Sequence, residues 1–397
     1  MLFTYGKPDA AEQVVLDRIA DMRTQLRNNV VTEPRRWTGL LARMTRARAL
    51  RASNSIEGIN VSAEDALAAV DGEDPADADR PTRLSIEGFQ SAMNFILQRC
   101  RDRDLKFTIE LILSIHFMIT QSDLKANPGN WRPGWVGVRN SQTGELVHEG
   151  VDRDLLVPLM HELVGYMNET DTHCSIIRGA MTHLNLAMLH PFSDGNGRTA
   201  RCLQTAVLCH DGIAAPIFSS IEEYIGYNQQ QYYAVLAEVG GGSWNPERDV
   251  KPWIRFCLVG HYRQAQNLLR RSKEFERVYR ELEQLVLRHR LPDRTTFALL
   301  EAAFGLRVRN SSYRATAEIS NNLASRDLKN LVDAGLLIPE GEKRGRDYIA
   351  APHIKQIRNE LRLPKGNDDP FADLPSPNAQ HSFDFVDGFE QPANGQA

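Results

Sequence analysis

The sequence predicts a mainly α-helical protein, and three observations predict it. Apolar residues recur at helical spacing through most of the chain, as in Ile177, Met181, Leu184 and Met188. Extended patterns are confined to two short stretches, one around residues 129–150 and one near 337–350. Polar, Pro- and Gly-rich segments such as DGEDPADADRPT (71–82) separate the helical runs.

Taken in order, residues 11–29 and 37–57 read as helices, the second carrying Arg43, Arg46, Arg48 and Arg51 on what reads as a solvated face. Residues 71–82 read as a linker, and helices resume at 83–101 and 108–121. GNWRPGWVGVRNSQTGELVHEG (129–150) breaks the pattern and reads as a β-hairpin with Gly144 left-handed. Helices return at 154–169, 175–190, 198–211 (ended by Gly212), 221–239 and about 250–290. Beyond Arg294, TFALLEAAFG, NSSYRATAEI and LASRDLKNLVDAG read as three helices, with a turn at Ser320-Asn321-Asn322. LLIPE-GEKRGRD-YIAA closes the unit as a basic-tipped hairpin, the order of a winged helix-turn-helix. Residues 365–397 are Pro/Asn/Asp-rich and read as disordered.

The bulk properties narrow the function. A chain of 397 residues, 42% hydrophobic and 25% charged, has room for two or three domains. The five cysteines show no CxxC pair and no zinc spacing, which predicts reduced thiols and a cytoplasmic setting. The N-terminus lacks a signal-peptide pattern, and no apolar run reaches about 18 residues, so no membrane span is expected. The net charge of −4 arises from an acidic tail, and the body is close to neutral, too weakly basic to imply nucleic acid by itself.

The chemistry concentrates in HPFSDGNGRTAR, residues 190–201. Pro191 ends the preceding helix, so His190 projects from a helix C-terminus, where the dipole would support a protonated imidazole. Gly195-Asn196-Gly197 permits positive φ and convergent amides at the start of the next helix, an anion site by geometry and dipole. Arg198 and Arg201 lie three apart and share one face of its first turn. Asp194 supplies a hard oxygen ligand suited to Mg²⁺ beside phosphates. A base, a metal carboxylate and a phosphate cradle fit transfer of a phosphorus-centred group to a hydroxyl. His183 lies two turns from His190, too far to share an ion, and reads as structural.

The stretch resembles the Fic (filamentation) family signature HxFx[DE]GNGRxxR at every fixed position: His190, Phe192, Asp194, Gly195, Asn196, Gly197, Arg198 and Arg201. The resemblance extends over about residues 37–270. It implies a Fic-type helical core with a β-hairpin flap, and relatives often carry a C-terminal winged helix. It divides the chain into an N-terminal helical region (1–82), a catalytic core (83–272), a linker helix with the winged helix (273–364) and the acidic tail (365–397).

The resemblance implies a protein adenylyltransferase that moves AMP from ATP, with Mg²⁺, to a Ser, Thr or Tyr hydroxyl of a protein, its own included. It implies that His190, Asn196 and Arg198 are catalytic. His190 would deprotonate the target and Asp194 would hold the metal. Gly195, Asn196, Gly197, Arg198 and Arg201 would hold phosphates, Phe192 would anchor the loop, and Tyr233 would lie near the adenine. The hairpin residues Trp135, Val136, Gly137 and Val138 would receive the target by strand addition.

SNSIEG also fits the family's inhibitory pattern [ST]xxxE[GN], through Ser53, Glu57 and the helix-capping Gly58. This implies autoinhibition by a Glu57–Arg201 pair. The second SIEG, at 85–88, fails the pattern because Arg83 precedes Glu87 by four. Removal of AMP, or a donor such as UTP or CDP-choline, is a competing enzymatic reading. A DNA-binding regulator is the non-enzymatic one, with Arg326, Lys329 and Arg344 as contacts. A homodimer is a further partner the reading admits.

Overall fold

The structure, a computed structural model, describes all residues except 29–36, 73–77, 103, 140–142, 171–172, 212–219, 342–345, 367 and 375–397. Helix α1 (Ala10–Arg27) starts from a capping box in which Asp9 and Glu12 accept each other's backbone N–H. Then come α2 (Thr38–Ile56), α3 (Ala63–Val70), α4 (Arg80–Arg99) and α5 (Ile109–Thr120). A two-stranded antiparallel hairpin, β1 (Gly137–Arg139) and β2 (Leu146–Glu149), precedes α6 (Arg153–Asn168). Next are α7 (Ser175–Leu189), α8 (Asn196–His210), α9 (Glu222–Tyr227), α10 (Gln229–Gly240) and the long α11 (Lys251–Arg288). The chain closes with α12 (Thr295–Ala303), α13 (Asn310–Ala317), α14 (Asn321–Asp333), the antiparallel strands β3 (Leu337–Glu340) and β4 (Asp347–Ala350), and α15 (Pro352–Glu360).

Three apolar clusters hold these elements. The first gathers α3 to α6 against α8, with Phe89, Phe107, Ile115 and Leu203 at its centre. The second packs the far half of α11 on α12 to α15 and β3–β4, through Phe275, Leu299, Tyr313 and Leu328. The third joins α1, α7, α9, α10 and the near half of α11 around Trp253, Ile19 and Leu184. At 38 residues and 1.5 Å per residue, α11 is about 57 Å long and links the second and third clusters. The first 82 residues have no core of their own. Helix α1 belongs to the third cluster, α3 to the first, and α2 contributes to all three.

Several expectations are corrected. The segment 221–239 is two helices, because Asn228 (φ −121°, ψ 38°) leaves helical geometry between them. Helix α3 was not expected; it is short and capped by Ser62. The linker ends sooner than expected, since Asp79 caps α4 and Pro81 sits in its first turn, where a missing N–H costs nothing. The tail is not wholly unstructured. Pro370 is buried and accepts from Arg18 (3.3 Å), while Arg255 lies over the Phe371 ring. Phe371 and Leu374 are apolar anchors inside an acidic composition. The rest of the tail, Gly212 and the basic hairpin tip with Lys343 and Arg344 lie outside the described residues. The C-terminal order of three helices and a hairpin is as expected, except that Ser320 caps α14, which already includes Asn321 and Asn322. Among the described residues, no helix is long and apolar enough to cross a membrane.

Candidate active site

Helix α7 ends at Leu189 because His190 caps it in the left-handed region (φ 49°, ψ 59°), and Pro191 disfavours continued helix at that residue. Gly195 is the second left-handed residue (φ 78°) and turns the chain into α8; a Cβ there would meet Thr120 at 2.8 Å. Between the two turns, Phe192 drops into the core with 0% exposure. It stacks on His116 of α5 (centroids 3.7 Å apart, 4° between planes) and on Trp131. His116 Nε2–H donates to the Asp194 carbonyl (3.0 Å), and its Nδ1 accepts from Gly129 N–H (3.0 Å).

The Asn196 side chain bonds within its own loop. Its Oδ1 accepts from Phe192 N–H and its Nδ2 donates to the Phe192 carbonyl, both at 2.9 Å, with 4% exposure. It ties the loop to itself with one of its two Nδ2–H donors, and its backbone N–H faces the helix start. The amides of Asn196, Gly197 and Arg198 have no acceptor among the described residues, as expected of a helix start.

His190 also departs from expectation. Burial, with the Arg132 charge nearby, lowers its pKa to about 4, so the imidazole is neutral. Its Nδ1–H donates to the Ala187 carbonyl (3.2 Å), which leaves Nε2 as the lone-pair acceptor. The buried Arg132 fixes the backbone here. Its Nε donates to the His190 carbonyl (2.9 Å), and its other nitrogens reach Gly134 and Val151 carbonyls.

Both motif arginines are buried, Arg198 at 7% exposure and Arg201 at 1%. Arg201 Nε donates to Ser53 Oγ (2.9 Å), and its Nη2 donates to the Ser53 carbonyl (3.1 Å) and to Glu57 Oε1 (2.8 Å). Burial alone would lower its pKa; the Glu57 carboxylate reverses the sign and holds it above the ordinary value. Arg201 Nη1 is buried with no acceptor. A Cβ on Gly197 would stand 2.6 Å from Glu57 Oε1 and 3.2 Å from that nitrogen. The carboxylate therefore sits over the start of α8. Gly58 is the left-handed cap (φ 77°) that ends α2 beside it.

Arg198 Nη1 donates to Ser85 Oγ (3.0 Å), and Ser85 Oγ donates to Asn54 Oδ1 of α2 (3.3 Å). The serine of the second SIEG thus joins the other motif arginine to the same helix. Arg198 Nη2 also lies 3.5 Å from Asp194, whose side chain is 61% exposed. Tyr233 gives its hydroxyl to the Ile56 carbonyl (2.8 Å), as does Gln229 Nε2 (2.8 Å), so α10 clasps the end of α2. His183 is buried between Gln204 and Tyr232, a structural residue as expected.

In the hairpin, Gly137 pairs with Glu149 and Val138 with His148. Val136 receives the Gly150 N–H, and Trp135, 61% exposed, donates to Glu149. Strand β2 also meets Gly242, while the outer edge of β1 has no strand beside it among the described residues. In α14, Arg326 is exposed and Lys329 is engaged with Asp333 (2.5 Å).

Sequence reading missed His116, Arg132 and Ser85. His116 left only the faint signal of a histidine in the mostly apolar helix IELILSIHFMIT. The other two act on partners more than 50 residues away.

Residues 106–208 match the Fic/DOC family. Over that stretch the chain is similar to Fic domains. Protein adenylyltransferase fic-1 of Caenorhabditis elegans is 30% identical over 178 residues, 43% of this chain and 30% of that protein. Protein adenylyltransferase Fic of Nematostella vectensis is 25% identical over 173 residues, 43% and 36% of the two chains. The chain spans about a third of the length of these relatives. A Fic family protein from Desulfovibrio desulfuricans G20 superposes with a TM-score of 0.57 at 19% identity, over 89% of this chain and 98% of that one. Fic-1 of C. elegans superposes at 0.53 and 20% identity, over 65% and 71%. Both likenesses show that the helical arrangement around the Fic domain is shared.

Three histidines of this domain stay neutral when folded. Burial lowers the pKa of His116 and His190 to about 4 and of His183 to about 3, from an ordinary 6.5. Between those limits the unfolded chain takes up protons that the folded chain refuses. Stability is therefore complete above pH 6.5 and drains as pH falls toward 4. The urea midpoint is expected to be lower at pH 5 than at pH 7; an equal or higher midpoint would contradict the buried neutral rings.

Proposed function

We propose that this chain is a protein adenylyltransferase held inactive by its own Glu57. The supporting observation is the Glu57–Arg201 contact over the N-terminus of α8, with a neutral His190 at the other end of the same loop. The relatives named protein adenylyltransferase support the same reading.

The chemistry follows from the residues. A target hydroxyl on the free edge of β1 faces His190 Nε2, which takes its proton as the oxygen attacks the α-phosphorus of ATP. The bond to the β-phosphate oxygen breaks and pyrophosphate leaves. The unbonded amides at the start of α8 and Arg201 Nη1 receive phosphate charge. Asp194 is exposed, with Arg198 at 3.5 Å and no cluster of three metal-type ligands among the described residues. That fits Mg²⁺ carried on a nucleotide, where it would neutralise phosphate charge, and not a resident ion. Glu57 puts a carboxylate where an outer phosphate needs a guanidinium.

The test is intact mass spectrometry of the full chain and its Glu57→Gly variant after incubation with ATP and Mg²⁺. An AMP adduct is expected on the variant, on itself or on an added protein target. An unmodified mass for both, with hydrolysis of ATP to ADP instead, would overturn the reading.

A further inference from the structure

A groove of about 690 Å³ lies away from the motif, between the outward face of α2, the α2–α3 connection, α9 and the α12–α13 connection. Its volume falls within the range of small-molecule sites. Five arginines and three carboxylates line it. Each carboxylate already has a partner: Asp71 meets Arg43 (2.5 Å), Glu64 meets Arg307 (3.5 Å), and Glu223 meets Arg271 (2.5 Å). Arg48 and Arg51, one turn apart on α2, have no ion-pair partner among the described residues, and Arg48 Nη1 is buried without an acceptor. Burial and the neighbouring Arg271 charge lower the Arg48 pKa to about 10, with the Glu223 carboxylate opposing the shift. Tyr227 lines the same groove with 79% exposure, which leaves its ring open to a planar group.

We propose that this groove is a second nucleotide site, separate from the Fic motif, that takes phosphates on Arg48 and Arg51 and a base on Tyr227. Paired cationic groups suit a polyphosphate, and an exposed ring offers a stacking platform indifferent to which base it meets. Ser55 lines the groove two residues before Glu57, so the occupant contacts the helix that carries the carboxylate over α8.

The probe is 2-azido-ATP, photo-crosslinked to the full chain without divalent metal and mapped by mass spectrometry. Label is expected on peptides containing Asn60, Tyr227 or Leu306. Arg51→Glu and Tyr227→Ala change exposed side chains and leave the core intact. Each is expected to reduce groove labelling by about tenfold or more. Inorganic tripolyphosphate is expected to compete in the wild type, and Asp194→Ala is expected to leave groove labelling unchanged. Label confined to the motif peptides would overturn the proposal, as would groove labelling that Arg51→Glu and Arg48→Ala do not reduce. AMP incorporation is measured separately, so failure here is distinguishable from failure of the adenylyltransferase reading.

Discussion

Replacing Glu57 with glycine is expected to raise self-labelling from α-labelled ATP by about tenfold or more, and to lower stability at the same time. Both effects have one origin. The carboxylate that sits over the start of α8 is also the counter-ion of a guanidinium with 1% exposure. Without it, Arg201 keeps only the two Ser53 oxygens, and a buried charge left short of its partner is costly. Because Glu57 is itself 28% exposed, the loss is expected to be modest, about 1–3 kcal/mol. Tripolyphosphate or ATP should restore the unfolding midpoint of the variant, since each supplies the missing negative charge. Glycine at position 57 introduces no strain, because that residue already lies outside helical geometry (φ −87°, ψ 12°). Labelling equal to or below the wild type would show that Glu57 is not the lock.

His190→Ala, made in the Glu57→Gly background, is expected to reduce AMP incorporation by about 10²- to 10⁴-fold, the usual contribution of a positioned base. The pH profile carries the sharper information. A group with a pKa of about 4 is proton-free throughout the neutral range, so activity should be level above about pH 6. It should fall only as pH drops through the His190 value. Single-turnover labelling across about pH 4.5–8, with folding checked at each pH, reads this directly. An inflection near the ordinary histidine value would mean that the imidazole is not buried as described. Incorporation that survives His190→Ala would remove it from the chemistry.

The motif and Glu57 were legible as candidates because both sit in fixed-spacing patterns. Within the motif, the loop's shape depends on neighbours a few positions away, as with the left-handed His190 and Gly195 around Phe192. The charge state of His190 was not legible. A helix terminus favours the imidazolium by about 0.3–1 kcal/mol, whereas a shift from 6.5 to about 4 corresponds to roughly 3 kcal/mol in the other direction. Burial wins, and burial is a property of the assembled fold. Ser85 shows the same limit. SIEG at 85–88 failed a pattern written for one arginine, while the fold brings its serine to the other. The break at Asn228 was hidden because the apolar spacing continues across it. Phe371 was overlooked because a composition argument averages over the single side chain that finds a pocket.

Helix α2 is anchored along its whole length. Leu41 and Met44 are packed among the α11 and α12 to α15 side chains, Ala47 and Leu50 in the first cluster, and Ile56 in the third. At about 1.5–3 kcal/mol for each large apolar side chain, lifting the whole helix would cost as much as a domain's entire stability of about 5–15 kcal/mol. Unwinding its final turn, Ser53 to Gly58, exposes one large apolar side chain, Ile56, with the buried polar Ser53 and Asn54. The opening event is then a local one. Amide hydrogen exchange should be fastest in those few residues and slow in the two turns after Thr38, so that the switch has the size of a single frayed helix end.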